Sequence, residues 1–335
     1  MSSSHSSIVD AGSTSTIRVG CACLAALALI VSGHSAAQSY PGKPVRLVIP
    51  YTPGGPTDLV GRAIAQRLQA ALGQQIVVDN RAGGGGVIGT EIVARAAPDG
   101  HTLLLGTPGQ LVLLPLLSDK LPYAVADLAP VTKVVDSPQV LIAYGKLPAS
   151  NVSELVAYAK QHAGQMTYGS VQTGGTGHLG MELLKQMTGM DMVHVAYKGT
   201  APALTDLIAG RIQVMFSSLP SVQPHVQAER LKLLATGAPQ RTPAIKDVPT
   251  IAETLPGYEL TTWYAIFAPK RTPGAVIQKL HGELVKILTS ADIAQAFAAQ
   301  GVEPAHSTPR ELEAHMRKES QRWAKVIKTA GIKLE

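Results

Sequence analysis

The sequence predicts an α/β fold made of two lobes, each a mainly parallel β-sheet flanked by helices. Short β-branched runs alternate with helical patterns along most of the chain, which is typical of βαβ units. The chain has 335 residues, more than a single core usually supports. No low-complexity linker separates its halves, so we expect several chain crossings between the lobes and therefore a hinge.

Residues 1–37 are predicted to be a cleaved export signal. Arg18 precedes an apolar run over 21–31 that is followed by small residues, so we place cleavage after Ala37. The run has about a dozen residues, fewer than the roughly 20 that span a bilayer, and a retained anchor is the weaker interpretation. Cleavage would leave 335 − 37 = 298 residues. Both cysteines lie in the apolar run, so the mature protein would have no disulfide, no cysteine-bound zinc and no cysteine nucleophile.

The predicted strands follow one another with helices between them. They cover 45–49, 75–79, 101–105, 131–135 and 140–144 in the first half, and 166–170, 192–195, 212–216, 232–236 and 264–268 in the second. Two helix starts carry a capping-box pattern, Asn151 with Glu154 and Thr308 with Glu311.

The lobe boundaries depend on where the chain crosses. We expect one crossing near 144–148 and the return near 261–269. Lobe 1 would then comprise residues 38–144 and 263–335, and lobe 2 residues 145–262. The C-terminal helices would return to lobe 1.

The first informative loop is the segment 51–58, Tyr-Thr-Pro-Gly-Gly-Pro-Thr-Asp, between a predicted strand and a helix. Its two glycines let the backbone approach a ligand closely, and Thr57 or Asp58 would cap a helix whose N–H groups point at the cleft. This pattern predicts an anion-binding loop. A tight turn with a capping aspartate and no ligand remains the alternative.

A second loop of the same kind lies in the other half, over 170–178, Ser-Val-Gln-Thr-Gly-Gly-Thr-Gly-His. It also follows a strand and opens a helix, so we expect the two loops to face one cleft and to clamp a carboxylate between two helix N-termini. His178 falls in the first helical turn, where the helix dipole disfavours an imidazolium. We therefore expect a neutral, hydrogen-bonding or packing histidine.

The segment 84–89 matches the GxGxxG pattern of dinucleotide-binding folds. That fingerprint needs an acidic residue about 20 positions later, at the end of the next strand. Here the next strand ends in Leu-Gly-Thr. We therefore predict no nucleotide cofactor and interpret these glycines as a third cleft loop or a surface turn.

Charge and catalytic patterns narrow the possible functions. The 29 Lys and Arg against 23 Asp and Glu give a net charge of +6, but they are scattered singly, unlike a nucleic-acid site. Anion binding and a merely basic surface both remain open. The sequence contains no Gly-x-Ser-x-Gly, no His-Glu-x-x-His and no histidines at metal-ligand spacing, so we predict no catalytic residue and no metal.

Further motifs are spread over nearly the whole chain after the predicted signal. They are Tyr40-Pro41-Gly42-Lys43-Pro44, Pro53-Gly54-Gly55-x-x-Asp58, Asn80-Arg81-x-Gly83-x-Gly85, Pro98-Asp99-Gly100-His101-Thr102-Leu103, Gly174-x-Thr176-x-His178-Leu179, Tyr197-Lys198-Gly199-x-x-Pro202-Ala203, Val248-Pro249-Thr250 and Phe267-Ala268-Pro269. With these motifs the sequence resembles the substrate-binding proteins of tripartite tricarboxylate transporters, also called the Bug family.

The resemblance implies a periplasmic solute-binding protein with a Venus-flytrap fold, which closes on a small organic carboxylate for uptake or sensing. It implies that the two glycine loops form the ligand clamp, with membrane subunits of such a transporter as the expected partners. We expect a monomer that binds no nucleic acid and is not an enzyme. An exported enzyme acting on a small carboxylate is the alternative.

The sequence departs from the family pattern at two positions. Ser217 stands where relatives often have an aspartate, and Ala265 where they often have a glycine, which predicts weaker recognition of a ligand ammonium group and a narrower pocket. The candidate ligand-binding residues are Tyr51, Pro53, Gly54, Gly55, Thr57, Asp58, Gly106, Thr107, Ser170, Thr173, Gly174, Thr176, Gly177, His178, Lys198 and Ser217.

Overall fold

The structure, a computed structural model, describes residues 1–7, 40–171, 173–241, 245–298 and 300–333. The chain divides into two units, residues 1–42 and 43–335, and the fold described below belongs to the second. Most of the predicted signal, from residue 8 to residue 37, lies outside the described residues. Within the described ranges, no helix has the length and apolar character needed to cross a membrane.

Among the described residues of the second unit, ten strands form the sheet framework. They are β1 (Val45–Ile49), β2 (Ile76–Asn80), β3 (Thr102–Gly106), β4 (Leu128–Tyr144), β5 (Thr167–Val171), β6 (Val193–Tyr197), β7 (Val214–Ser218), β8 (Leu231–Thr236), β9 (Thr261–Pro269) and β10 (Glu303–Pro304).

The α-helices of the described residues are connected to these strands in alternation over most of the chain. They are α1 (Pro56–Leu72), α2 (Val87–Ala94), α3 (Leu114–Leu117), α4 (Val152–Gln161), α5 (Thr176–Thr188), α6 (Thr200–Ile208), α7 (Leu219–Gln227), α8 (Ile251–Thr254), α9 (Gly274–Leu288), α10 (Ala291–Ala298) and α11 (Pro309–Ala330). A π-helical turn, Gly109–Leu113, precedes α3.

Each lobe contains a parallel three-stranded core. In the first lobe β1 lies between β2 and β3, and in the second β5 lies between β6 and β7, all in parallel. The apolar runs that predict these strands become buried, as in β1, where four of the five residues of Val-Arg-Leu-Val-Ile have no more than 1% of their surface exposed. Because parallel strands all end at one edge of a sheet, their strand-to-helix loops gather there.

The long strand β4 joins the two lobes. The sequence predicts separate strands over 131–135 and 140–144, whereas the structure has one strand of 17 residues. From Leu128 to Pro138 it pairs antiparallel with β9, and from Gln139 to Tyr144 it pairs with β7 and β8 of the other lobe. The change of partner falls at Pro138, whose nitrogen has no hydrogen to donate. The predicted lobe division at 144/145 stays a prediction. The strand β4 changes its pairing partners before that boundary, at Pro138.

The return strand β9 is anchored by a buried polar contact. Trp263 has 1% of its surface exposed, and its Nε1 donates to Oε2 of Glu319 on α11 at 2.5 Å. Burial raises the pKa of Glu319, although Trp263 and Arg322 oppose this shift. Of the aromatic residues near the return crossing, Trp263 therefore belongs to the core, while the neighbouring Tyr264 lines the cavity described below.

The junction of the crossing strands has no room for a side chain at Gly237. Its N–H donates to the carbonyl of Gln139 at 2.7 Å, and its carbonyl accepts from the N–H of Leu260 at 2.8 Å. A Cβ at this position would lie 2.6 Å from the carbonyl oxygen of Leu260, which is backbone and cannot rotate away. The glycine therefore allows β4, β8 and the start of β9 to meet.

We expect Gly237→Ala to lower the free energy of unfolding by about 1–3 kcal/mol, because a methyl group must displace backbone at the junction. Chemical denaturation measures the change. Gly282→Ala is the matched control, since nothing lies within 4 Å of its Cβ position inside α9. There we expect a gain of about 0.5–1 kcal/mol from helix propensity. Equal effects of the two substitutions would contradict the close approach at the junction.

Candidate functional site

A cavity of about 710 Å³ lies between the two lobes, at the ends of the parallel strands. The loops after β1 and β3 line it from the first lobe, and the loops after β5, β6 and β7 line it from the second. The crossing strands close it through Gln139, Thr262 and Tyr264. Both glycine loops singled out in the sequence therefore border one cavity, in agreement with the expectation that they share a cleft.

Among the described residues, four of the helices that begin at this cavity follow a strand without an intervening 3-10 or π turn and have no side-chain cap. The N-cap residues of α1, α5, α6 and α7 line it, and none of them caps a backbone N–H of its helix with its side chain. These N-caps are Gly55, Gly175, Gly199 and Ser218. By contrast, α4, α8 and α11 begin away from the cavity and are capped by Asn or Thr side chains. First-turn N–H groups of the four cavity helices are therefore available to a bound group.

The charges around the cavity suit an anion. Lys198 is the charged side chain among the described residues that line it, and none of those residues is an aspartate or glutamate. Helix N-termini carry partial positive charge, equivalent to roughly half an elementary charge each. The described wall therefore combines positive potential with hydrogen-bond donors and no competing carboxylate.

Asp58 holds the glycine loop of the first lobe in place. Its Oδ2 accepts from the N–H of Gly54 and from Nε of Arg62, and its Oδ1 accepts from Nδ2 of Asn80, each at 2.9 Å. Burial alone would raise the pKa of Asp58, but the hydrogen bonds from Arg62, Gly54 and Asn80 lower it below its usual value. Gly54 has φ +79°, which favours glycine at this turn.

His178 holds the glycine loop of the second lobe in place, as Asp58 does in the first lobe. The N–H of Gly174, at φ +75°, donates to Nδ1 of His178 at 2.9 Å, again four residues along the chain. The imidazole of His178 stacks on that of His194 with ring centroids 3.8 Å apart and planes 10° apart. His194 contacts Oγ of Ser170 through Nε2 at 2.7 Å. The two loops thus have equivalent clamps, a carboxylate in one lobe and an imidazole in the other.

The clamp requires a neutral histidine. Nδ1 of His178 accepts a hydrogen bond and cannot carry a proton at the same time. Burial and the adjacent His194 lower the pKa of His178 to about 4, with Lys185 acting in the same direction and Glu182 against it. This agrees with the neutral, hydrogen-bonding histidine that the sequence predicts.

A polar cluster on the first-lobe wall includes a residue that the sequence analysis missed. Oη of Tyr51 lies 2.8 Å from Oγ1 of Thr107, and the side-chain amide of Gln110 contacts these hydroxyls at 2.9 and 2.7 Å respectively. Burial raises the pKa of Tyr51 to about 12, so the phenol keeps its proton. Gln110 is fully buried in the π-helical turn. Its spacing of three residues from Thr107, just after a strand end, is the signal that could have identified it.

The predicted site residues fall into two groups. Ten of them line the cavity, namely Tyr51, Gly55, Thr57, Thr107, Thr173, Gly174, Thr176, Gly177, Lys198 and Ser217. The others, which support the wall from behind or beside it, are Pro53, Gly54, Asp58, Gly106, Ser170 and His178. The expectation that all sixteen contact a ligand stays a prediction.

The third glycine segment and Ala265 lie at different places relative to the cavity. The glycine segment after β2 lines the cavity through Gly83, Gly85 and Gly86, which matches the third cleft loop rather than the surface turn. Gly89 packs so closely on the loop after β1 that a Cβ would lie 2.9 Å from Cα of Pro50.

Ala265 is fully buried within β9 and is not among the lining residues, so the expected narrowing of the pocket by this residue is wrong.

The histidine clamp predicts a stability change between pH 6.5 and 4. Because the folded state holds the pKa of His178 at about 4, below the ordinary 6.5, the unfolded chain takes up a proton first as the pH falls. The stabilising contribution of the clamp is therefore complete above pH 6.5 and is lost by about pH 4. We expect His178→Asn, whose Oδ1 can accept from Gly174 and does not titrate, to show a smaller fall in melting temperature over this interval.

The lobe 1 clamp provides the control for that measurement. The pKa of Asp58 is lowered from 3.8, so its contribution is lost only below this interval. Asp58→Asn should change the melting temperature without changing its slope between pH 6.5 and 4. Burial lowers the pKa of His194 and of His315 as well, so part of the slope should remain in His178→Asn. A slope identical to that of the wild type would contradict the histidine clamp.

Comparison with known proteins identifies the family. The sequence model of the tripartite tricarboxylate transporter family receptor matches residues 60–332. Protein BugT of Bordetella pertussis is 37% identical over 308 residues, which cover 91% of this chain and 94% of BugT.

Solved structures of similar proteins have the same fold. Rpa4515 of R. palustris, determined with adipate, is 38% identical with a TM-score of 0.78, covering 88% of this chain and 99% of that chain. MatC (Rpa3494) from Rhodopseudomonas palustris, with bound malate, is 30% identical with a TM-score of 0.71, covering 86% and 100%. These matches confirm the predicted two-lobed α/β fold. By its sequence and its fold, the chain belongs to the tripartite tricarboxylate transporter receptor family, the Bug family that its motifs resemble.

Proposed function

We propose that this protein is a periplasmic receptor that captures a small organic carboxylate in the cavity between its lobes. The observation that carries the proposal is the cavity wall, where four uncapped helix N-termini and Lys198 face a space with no described acidic side chain. Each helix N-terminus stabilises an anion by about 0.3–1 kcal/mol when exposed and by up to about 2 kcal/mol when partly buried. Several together favour a carboxylate without a fixed partner of opposite charge.

The relatives support the same class of ligand. Adipate is bound to Rpa4515 and malate to MatC, and both are dicarboxylates. A cavity of about 710 Å³ accommodates a molecule of this size together with bridging water. We propose capture for transport or sensing rather than catalysis, since the matched family is one of receptors.

The proposal also covers export of the protein, closure of its lobes and delivery of the bound acid. Residues 1–37 would direct export and be removed, leaving a monomer in the periplasm. The lobes, 38–144 with 263–335 and 145–262, would close on the ligand by bending of the crossing strands. The closed form would deliver the acid to membrane subunits of a tripartite transporter. Neither a cofactor nor a nucleic acid is part of this function.

Ligand binding should raise the melting temperature, and only acids should do so. A ligand that binds the native state alone stabilises it by RT ln(1 + [L]/Kd), about 2.7 kcal/mol at about 100 times Kd. We expect adipate or malate to produce such a shift, and adipamide or malamide to produce none. Equal shifts with acid and amide would contradict carboxylate capture, and conversion of the acid to a product, followed by NMR, would favour the enzyme alternative.

Ser217 is expected to select acids that lack an amino group. Ser217 lines the cavity and is 5% exposed, and a hydroxyl neither pairs with an ammonium group nor repels a carboxylate. Calorimetry should give tighter binding of succinate than of aspartate, two acids that differ by the ammonium group. Ser217→Asp should shift this ratio toward aspartate by about tenfold or more.

Ser217→Asn is the control for that substitution, because it has the shape of aspartate without the charge. We expect it to leave the preference for succinate in place. A wild type that prefers aspartate, or a Ser217→Asp variant with the wild-type ratio, would refute the proposed role of this position.

A further inference from the structure

We infer that Gln110 is a positioning residue that fixes the direction of the hydrogen bonds on the first-lobe wall, so that Tyr51 and Thr107 together offer the ligand one O–H donor. The inference rests on the proposed function and adds to it a determinant of selectivity. Gln110 itself does not line the cavity, whereas Tyr51 and Thr107 do. It would therefore act on the ligand through the two hydroxyls.

The backbone of Thr107 sets the orientation of the Gln110 amide. The N–H of Thr107 lies 3.0 Å from one end of the amide, and a backbone N–H can only donate, so that end is the oxygen. The other end lies 3.3 Å from the carbonyl oxygen of Thr107, which can only accept, so that end is the nitrogen. The nitrogen then faces Oγ1 of Thr107 at 2.7 Å and Oη of Tyr51 at 2.9 Å.

One hydroxyl hydrogen of the Tyr51, Thr107 and Gln110 cluster is left without an acceptor inside the cluster. Because the amide nitrogen has no acceptor capacity, neither hydroxyl can donate to it. The two hydroxyls lie 2.8 Å apart, so one donates to the other and uses one of their two hydrogens. The second hydrogen has no acceptor within this cluster, and both Tyr51 and Thr107 line the cavity. It is therefore directed at whatever occupies the cavity.

The surroundings prevent the cluster from reversing. Gln110 is fully buried, and its carbonyl accepts from Oη of Tyr123 at 2.6 Å, which holds the π-helical turn in place. The pKa of Tyr51 is raised by burial to about 12, so its hydroxyl does not lose its proton at neutral pH. The spare hydrogen is consequently a permanent feature of the wall.

A fixed donor selects the atom opposite to it. A carboxylate oxygen accepts the hydrogen and forms a charge-assisted bond, whereas a ligand ammonium group would face a donor and lose its own hydrogen bond to water. The first-lobe wall should therefore favour a diacid over the ω-amino acid of the same length. This selectivity arises at a place remote from Ser217 in the sequence and in the opposite lobe.

Gln110→Glu tests the inference, because an ionised carboxylate accepts from both hydroxyls and leaves none to donate to the ligand. The hydroxyl oxygens would then turn their lone pairs toward the cavity. With adipate and 6-aminohexanoate as ligands, we expect the ratio of their affinities to fall at least about tenfold further in Gln110→Glu than in Gln139→Glu. Gln139→Glu is the control, because it adds one negative charge at a residue that lines the cavity and has no hydrogen bond with the hydroxyl pair.

The pH profile separates this role from a structural one. A buried carboxyl group gains a proton as the pH falls, and its protonated form can donate to the hydroxyl pair as the amide does. The affinity of Gln110→Glu for adipate should therefore recover toward the wild-type value between pH 9 and pH 6. A variant that is merely misfolded would not recover, and circular dichroism at each pH monitors the fold.

A second set of variants applies if Gln110→Glu does not fold. Tyr51→Phe and Thr107→Val each leave one hydroxyl hydrogen for the ligand, so each should weaken adipate binding by only about threefold. The double variant has none and should lose about thirtyfold or more, beyond the product of the single effects. An additive double variant, or a Gln110→Glu affinity ratio that matches Gln139→Glu at every pH, would overturn the inference. A wild type that acids and their amides stabilise equally would instead contradict the proposed function.

Discussion

The first-turn N–H groups of the cavity helices need partners, and this requirement organises the site. The side chains at the N-caps of α1, α5, α6 and α7 do not cap the backbone of their helices, although serine and asparagine caps are common and stabilise helices by about 1 kcal/mol. Three of these four N-caps are glycines, which leave the space above the helix open. These helix ends therefore lack the stabilisation that a side-chain cap gives, and their N–H groups can donate to a bound anion or to water.

The two glycine loops depend on clamps that are alike in geometry and different in chemistry. Gly54 donates to Asp58 and Gly174 donates to His178, each over four residues and at 2.9 Å. The carboxylate clamp is supported by Arg62 and Asn80, whereas the imidazole clamp is supported by the stack on His194. The second lobe therefore contains the clamp that weak acid can open, because protonation of His178 removes the acceptor.

The polarity of the cavity has two independent sources. In the second lobe the helix starts and Lys198 supply positive potential, and Ser217 replaces a charged group that could hold an ammonium. In the first lobe the direction of donation is set behind the wall, where the backbone of Thr107 orients Gln110 and Gln110 orients the hydroxyls of Tyr51 and Thr107. A group that never reaches the ligand can thus determine what the ligand must offer.

The sequence by itself determined the fold class, most strands and both glycine loops, because β-branched runs, capping patterns and paired glycines are local signals. It also led to the family through motifs along the whole chain. Only the tertiary structure decided that 131–135 and 140–144 form one strand that crosses between the lobes, since pairing partners far apart in sequence fix its course. The same is true of Gln110, whose role depends on contacts with Tyr51 across 59 positions. Asp58 and His178 each lie four residues after the glycine that they bind, which is a local spacing. Only the packing of the helices that carry them decided that neither residue lines the cavity.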